Sequence, residues 1–138
     1  DLTGAQNTRF IARVYGVETT ELIKYVEDFA ELGDHFYLPT RTYSSGMRSR
    51  LAFGVSMGIP FETYLVDEVT SVGDAAFREK SEYVFQNRLK NSGAVMVTHS
   101  IGLAQRICDI GAVLEDGQLT VYDSVDQVIN QHRKIIRK

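Results

Sequence analysis

The sequence predicts an α/β fold in which helices flank a parallel sheet. Two short, very apolar segments, 63–66 and 93–98, have the composition of buried strands, and a predicted helix over 74–90 separates them. Strand–helix alternation with strands this apolar is typical of a parallel sheet covered on both faces. A length of 138 residues with 43% apolar residues suits one domain that can bury a core.

The amino-terminal part is predicted to be helical before this alternation begins. A first helix over 6–15 carries Phe10, Ile11 and Val14 on one side, and Thr19 or Thr20 could cap a second. The second helix shows a continuous apolar stripe: Leu22, Ile23, Val26, Phe29 and Ala30. We therefore expect a helical subdomain over 1–60 and an α/β part over 61–138.

The remaining elements follow from pattern and turn residues. We expect helices over 45–57 and 100–108, a last helix starting near Ser124, and a hairpin of strands 110–114 and 118–122 around Glu115-Asp116-Gly117. These boundaries carry an error of about two to four residues.

Composition excludes several classes of function. A net charge of −3 gives no reason to expect nucleic acid as a partner. The single cysteine, Cys108, cannot form an internal disulfide, which favours a reducing compartment. The uncharged stretch from Leu51 to Phe61 is about half the length of a bilayer span, and no signal peptide is visible. No Gly-x-x-x-x-Gly-Lys-Ser/Thr phosphate loop occurs in these residues.

A loop of small residues, Ser44-Ser45-Gly46, precedes the helix predicted over 45–57. A helix start offers unpaired N–H groups and partial positive charge, serine hydroxyls add donors, and glycine lets a ligand approach the backbone. The stretch therefore suits an anion site. Ordinary capping by Ser44 or Ser45 explains the same residues. Arg48 and Arg50 could support a phosphate or be solvated.

Polar residues follow both predicted strands of the sheet. Asp67 and Glu68 end the first strand, and His99 follows the second. Ligands of open α/β sheets bind beyond the carboxyl ends of strands. There, one acid can hold Mg²⁺, the other can activate water, and a histidine can bind a terminal phosphate. A polar turn after the strand is the alternative for the two acids.

A serine hydrolase is a further alternative. Gly54-Val55-Ser56-Met57-Gly58 matches Gly-x-Ser-x-Gly, and Ser56, Asp67 and His99 occur in the order of a hydrolase triad. The motif requires a sharp turn between a strand and a helix, whereas Ser56 is predicted late in a helix. Labelling of Ser56 by an active-site serine probe would support this alternative.

Taken together, these segments resemble the ATP-binding-cassette (ABC) ATPase family. Tyr43-Ser44-Ser45-Gly46-Met47 resembles its Leu-Ser-Gly-Gly-Gln signature, and Tyr64-Leu65-Val66-Asp67-Glu68 its Walker B strand. Ser71-Val72-Gly73-Asp74 occupies the place of its D-loop, and His99 that of its switch histidine. The amino-acid sequences of the signature, Walker B and D-loop segments closely resemble those of the ATPases of bacterial capsular-polysaccharide exporters. Ser45, Met47 and Gly73 depart from the common motifs.

The resemblance implies a role for each motif residue. ATP and Mg²⁺ would be the cofactors, with Asp67 serving the metal, Glu68 polarising water and His99 sensing the γ-phosphate. Ser44, Ser45, Gly46 and Met47 would contact the ATP held by a second subunit, and Asp74 would couple the two sites. The fold implied is part of a P-loop NTPase, with the phosphate loop absent from these residues.

The resemblance also implies the assembly. Two ATPase subunits would form a homodimer and dock on membrane-spanning transporter subunits at the cytoplasmic face of the inner membrane, without binding polysaccharide directly. The helical part would meet the membrane subunits. We expect the 138 residues alone to be inactive. An alternative is a non-catalytic fragment or coupling module that contributes a signature surface to another ATPase.

Overall fold

The computed structural model describes residues 1–67 and 74–136. In chain order the elements are α1 (Gly4–Tyr15), α2 (Thr19–Ala30), two 3₁₀ helices (Gly33–Tyr37 and Thr40–Thr42), α3 (Ser45–Gly58), β1 (Thr63–Asp67), α4 (Ala75–Leu89), β2 (Gly93–Val97), α5 (Ile101–Ile107), β3 (Gly111–Glu115), β4 (Gln118–Tyr122) and α6 (Val125–Ile136). Among these described residues, no helix has both the length and the apolar character needed to cross a membrane.

The chain forms two compact units. The described residues of the first are 1–65 and 74–95, and those of the second are 66–67 and 96–136. The first unit holds α1 to α4 and the starts of both sheet strands. The second holds α5, the β3–β4 hairpin and α6. The predicted division near residue 60 stays a prediction.

Helix α1 packs through its small residues. Thr3 caps it reciprocally with Gln6, and its buried positions are Gly4, Ala5, Thr8 and Ala12. Of the three apolar residues predicted on one side, Ile11 packs against the core, whereas Phe10 and Val14 are exposed. Small side chains let α1 approach the rest of the unit closely.

Helix α2 buries the stripe that its sequence predicts. Leu22, Val26, Phe29 and Ala30 are all buried. Its cap differs from the prediction of Thr19 or Thr20, because the Glu18 carboxylate accepts the Glu21 N–H at 2.6 Å. That hydrogen bond lowers the pKa of Glu18.

Helices α2 and α3 pack closely because α3 contributes two glycines to their contact. A Cβ on Gly54 would lie 3.2 Å from Phe29 Cδ1, and one on Gly58 would lie 2.8 Å from Tyr25 Cδ1. At Gly58 the side chains of α2 would have to move, and at Gly54 a shift of a few tenths of an ångström by Phe29 would be needed. The close α2–α3 contact therefore favours glycine at these two positions, which also occupy the outer places of the Gly-x-Ser-x-Gly match.

Strands β1 and β2 pair in one sheet. The Gly93 N–H donates to the Glu62 carbonyl at 2.8 Å, and the Ser92 hydroxyl donates to the Phe61 carbonyl at 2.8 Å. The two strands therefore start side by side and run parallel, as predicted. The described residues do not cover both faces of the sheet as expected, since Leu65, Val95 and Val97 are exposed.

The second unit contains the predicted hairpin. β3 and β4 pair antiparallel from Gly111 opposite Tyr122 to Glu115 opposite Gln118. Asp116 and Gly117 form the two-residue turn with positive φ at both positions, the backbone geometry of a tight hairpin. Helix α6 contacts this hairpin, where a Cβ on Gly111 would lie 2.7 Å from Val128.

Candidate functional site

The predicted signature lies at the amino end of α3. Ser44 is the N-cap, and its hydroxyl accepts the Met47 N–H at 3.2 Å. Ser44 and Ser45 are exposed, and Gly46 and Met47 are half-buried. The N–H groups of Ser45 and Gly46 precede the first intrahelical hydrogen bond, from Arg48 to the Ser44 carbonyl. Capping uses the acceptor side of the Ser44 hydroxyl, and its proton can still be donated to an anion.

Tyr43 anchors this helix start. Its side chain is buried, and its hydroxyl donates to the His35 carbonyl at 2.7 Å. A Cβ on Gly4 would lie 2.6 Å from that hydroxyl, so glycine at the start of α1 makes room for the ring. Burial raises the pKa of Tyr43 and keeps it neutral. Ser44 and Ser45, which are exposed, therefore follow directly after a residue that is buried and hydrogen-bonded in the core.

The described residues give no packing reason for glycine at position 46. Among them, a Cβ there would meet only the Ser44 hydroxyl, at 3.9 Å. A glycine in the middle of a helix costs about 0.5–1 kcal/mol relative to alanine, which is an upper limit for Gly46 in the first turn of α3. A bare backbone beside two exposed serines instead suits a ligand that approaches from outside the chain. These donors fit the phosphates of ATP.

Asp74 is fixed within the first unit. It is the N-cap of α4, and its Oδ1 accepts the Phe77 N–H at 2.9 Å. Its Oδ2 accepts from Arg50 of α3 at 3.0 Å. The Phe77 hydrogen bond, helped by the charge of Arg50, holds the pKa of Asp74 below its usual value. Arg50, left open between phosphate contact and solvation, is instead an internal ion-pair partner, whereas Arg48 is exposed.

The first acid of the strand end is exposed. Asp67 is the last residue of β1, where a carboxylate can reach a ligand beyond the sheet edge. Mg²⁺ favours one or two carboxylates together with substrate phosphates and water, so this donor fits that metal. Glu68 and the D-loop residues Ser71, Val72 and Gly73 lie outside the described residues. Among the described residues, no group of three or more acids, histidines or cysteines could form a metal site alone.

His99 lies two residues after β2, in the same unit as Asp67. It is exposed, and the Ser100 N–H donates to the Thr98 hydroxyl at 3.0 Å across it. Ser100 then caps α5 by accepting the Leu103 N–H at 3.3 Å. Because β1 and β2 run parallel, Asp67 and His99 both lie at carboxyl ends of paired strands, the arrangement expected from the sequence.

The serine-hydrolase motif lacks its structural context. Ser56 lies within α3, and its hydroxyl donates to the Ala52 carbonyl at 2.9 Å. A nucleophile elbow requires the serine on a turn after a strand. The expectation that Ser56 is an ordinary helical residue is therefore correct.

Curated relatives match nearly the whole chain. Polysialic acid transport ATP-binding protein KpsT of Escherichia coli is 46% identical over 96% of this chain and 60% of its own length. ATP-binding protein BexA of Haemophilus influenzae is 38% identical over 96% of this chain and 61% of its own. The resemblance predicted from the sequence is confirmed. The chain is homologous to ATP-binding proteins of capsule polysaccharide export.

The chain spans about 60% of the length of these relatives. Capsule polysaccharide export ATP-binding protein CtrD of Neisseria meningitidis serogroup B is similar, at 37% identity over 62% of its length. No protein-family model matches the chain.

A solved structure described as the ATP-binding subunit of an ABC transporter has the same fold. The TM-score is 0.81 at 20% identity, over 96% of this chain and 57% of that one. The predicted fold class is confirmed. Sequence reasoning missed the Arg50–Asp74 contact, because its partners are 24 residues apart in the chain.

Proposed function

We propose that this chain, within a protein that also carries a phosphate loop, binds and hydrolyses ATP to energise the export of capsular polysaccharide across the bacterial inner membrane. Homology over nearly the whole chain to ATP-binding proteins named for polysialic acid transport and capsule export carries this proposal. The placement of Asp67 and His99 after parallel strands supports it.

Each motif residue has a part in this function. Asp67 holds Mg²⁺, Glu68 polarises the attacking water, and His99 binds the γ-phosphate. Mg²⁺ held by Asp67 would supply neutralisation of the phosphate charge, the contribution that metals make in phosphoryl transfer generally. Stabilisation of the developing phosphate charge, rather than covalent chemistry, supplies most of the rate.

The signature serves a neighbouring subunit. Ser44 and Gly46, with Ser45 and Met47 beside them, contact the triphosphate held by the partner of a homodimer, and Asp74 takes part in coupling the two sites. The exposed hydroxyls and the open space at Gly46 support this role. The dimer docks on membrane-spanning subunits at the cytoplasmic face of the inner membrane, and the polysaccharide is not bound by the ATPase itself.

Glu68→Gln in a full-length protein containing these residues tests the hydrolytic role. We expect hydrolysis to be abolished and ATP-driven dimerisation to be retained, because glutamine keeps the shape and loses the base. ATP turnover and size-exclusion chromatography with ATP measure the two effects. Wild-type turnover by this variant would remove Glu68 from the mechanism.

A second candidate is a coupling module without activity of its own. The lack of a phosphate loop within these 138 residues favours it for the isolated chain, because that loop supplies most of the phosphate grip. We expect no ATP turnover by the purified chain. Activity restored by adding a subunit with a phosphate loop would support the composite site, and turnover by the chain alone would contradict the module.

A further inference from the structure

One ion-pair cluster joins three helices of the first unit. Its members are Glu31 at the end of α2, Arg50 of α3, and three residues of the α4 start: Asp74, Phe77 and Lys80. We call these five residues the Arg50 cluster. Helix α3 begins with the signature, and Asp74 ends the D-loop segment. The cluster therefore links the signature helix to the end of the D-loop, and the resemblance implies that both lie at a dimer interface.

Arg50 is the centre of this cluster. Its side chain is 19% exposed, whereas the side chains of Glu31 and Asp74 are 55% and 68% exposed. Its Nη2 donates to Asp74 at 3.0 Å, and its Nη1 lies 3.8 Å from Glu31. Its Cζ lies 4.4 Å from the centre of the Phe77 ring, which is itself buried. A planar guanidinium can stack on a ring and bond a carboxylate at once, which an ammonium cannot do as well.

The two carboxylate oxygens of Asp74 accept hydrogen bonds from different partners. Oδ1 caps α4 through the Phe77 N–H, and Oδ2 receives Arg50. Capping alone explains an Asp, Asn or Ser at this position, but it does not explain the contact with a helix that lies 24 residues earlier in the chain. The Arg50 contact therefore fixes where the α4 start lies relative to α3, beyond what the cap requires.

Lys80 secures the other side of the cluster. Its ammonium pairs with Glu31 and donates to the Phe29 carbonyl at 3.0 Å. Glu31 has a positive φ of 52° just after α2, a conformation that non-glycine residues seldom adopt. The end of α2 is thus tied to α4 independently of Arg50, and Glu31 offers a matched control for the Asp74 contact.

We propose that Arg50 is a positioning residue that holds Asp74 and the α4 start against the signature helix, so that both interface elements move as one body. This inference rests on the proposed ATPase function. Arg50 acts through Asp74 and touches no substrate. A shift of about 1 Å in a positioned group can cost about a hundredfold in rate, so loss of this contact has a measurable effect.

The test is a double-mutant cycle in a full-length protein with its phosphate loop. The variants are Arg50→Gln, Asp74→Asn, the double variant, the conservative Arg50→Lys, and the control Glu31→Gln. Asn caps helices about as well as Asp, so Asp74→Asn removes the charge while keeping the α4 cap. The readouts are kcat, KM for ATP, melting temperature, and ATP-driven dimerisation in a Glu68→Gln background.

We expect Arg50→Gln and Asp74→Asn each to lower kcat and ATP-driven dimerisation by about tenfold or more, with little change in KM. The double variant should lose no more than the worse single variant, because residues that act through one contact are not additive. Arg50→Lys should recover part of the loss, and Glu31→Gln should stay within about twofold of wild type.

Losses that multiply in the double variant would show that Arg50 and Asp74 act independently, and would overturn the proposal. Wild-type kcat and dimerisation in Arg50→Gln would overturn it as well. A Glu31→Gln loss as large as that of Arg50→Gln would assign the effect to general stability of the cluster, also against the proposal. If Glu68→Gln still abolishes hydrolysis, the proposed ATPase function stands in each of these cases.

Discussion

Replacement of Gly46 by alanine should make the protein more stable and less able to use ATP. Among the described residues the new Cβ would meet only the Ser44 hydroxyl, at 3.9 Å, so it fits there without a shift of those residues. Gly46 is not among the glycines with positive φ, so alanine is also unstrained there. Glycine inside a helix costs about 0.5–1 kcal/mol relative to alanine, which bounds the gain in unfolding free energy. For a chain of this size, that gain corresponds to a rise of about 2–5 °C in melting temperature.

The functional effect should have the opposite sign. A phosphate oxygen must approach a backbone N–H to about 2.9 Å, and a methyl group beside that N–H obstructs the approach. We expect ATP-driven dimerisation and hydrolysis by the full-length protein to fall by at least about tenfold. This is less than the roughly hundredfold or greater cost of removing one oxyanion donor, because the methyl group obstructs the N–H without removing it. Thermal melting, analytical size exclusion with ATP and steady-state turnover measure these effects.

Gly102→Ala is the matched control. Gly102 is the second residue of α5, as Gly46 is of α3, and a serine caps both helices. A Cβ at Gly102 would meet only the end of Arg106, at 3.7 Å. We expect the same stabilisation without loss of dimerisation. Normal hydrolysis by Gly46→Ala would refute the claim that ATP use requires glycine at this position. A lowered melting temperature would refute the claim that a Cβ fits at this position without strain.

Two further predictions concern helix caps. Ser44→Asp should keep the hydrogen bond that caps the Met47 N–H, because Asp and Ser cap helices alike, and the melting temperature should stay within about 3 °C of wild type. The added negative charge should repel phosphate and abolish ATP-driven dimerisation. Retained dimerisation would argue against phosphate contact at Ser44. The lowered pKa of Asp74 makes its contribution to stability fully present above the ordinary Asp pKa and lost as pH falls through the folded-state value. Melting temperatures measured from about pH 6 to 3 should therefore fall less steeply in Asp74→Asn, and equal slopes would contradict this.

The elements that local pattern governs were predictable. The stripe of α2, the Asp116-Gly117 hairpin and the parallel strands all follow from periodicity and turn chemistry, which act over a few residues. The cap of α2 was not, because Glu18 accepts the Glu21 N–H although glutamate is not a preferred cap. Thr19 and Thr20 are instead the first two residues of the helix itself, so neither occupies the N-cap position.

Packing between elements was the part that sequence reasoning missed. In α1 the apolar residues Phe10 and Val14 are exposed, whereas the core accepts the smaller Ala5, Thr8 and Ala12. Close approach of helices depends on volume and not on hydrophobicity alone. The Arg50–Asp74 pair has the same origin, since no local pattern indicates a partner 24 residues away.

The two explanations of Ser44 are compatible, and this is why the sequence could not separate them. Its hydroxyl accepts the Met47 N–H and keeps a proton to donate, so capping a helix and binding an anion use opposite sides of one oxygen. The glycines of α3 distinguish the two roles better. Gly54 and Gly58 are explained by the side chains of α2 that a Cβ would strike, whereas nothing in the described chain explains Gly46. Under the proposed function, Gly46 leaves the backbone beside two exposed serines open to the phosphates of ATP, and the Gly46→Ala variant tests that role.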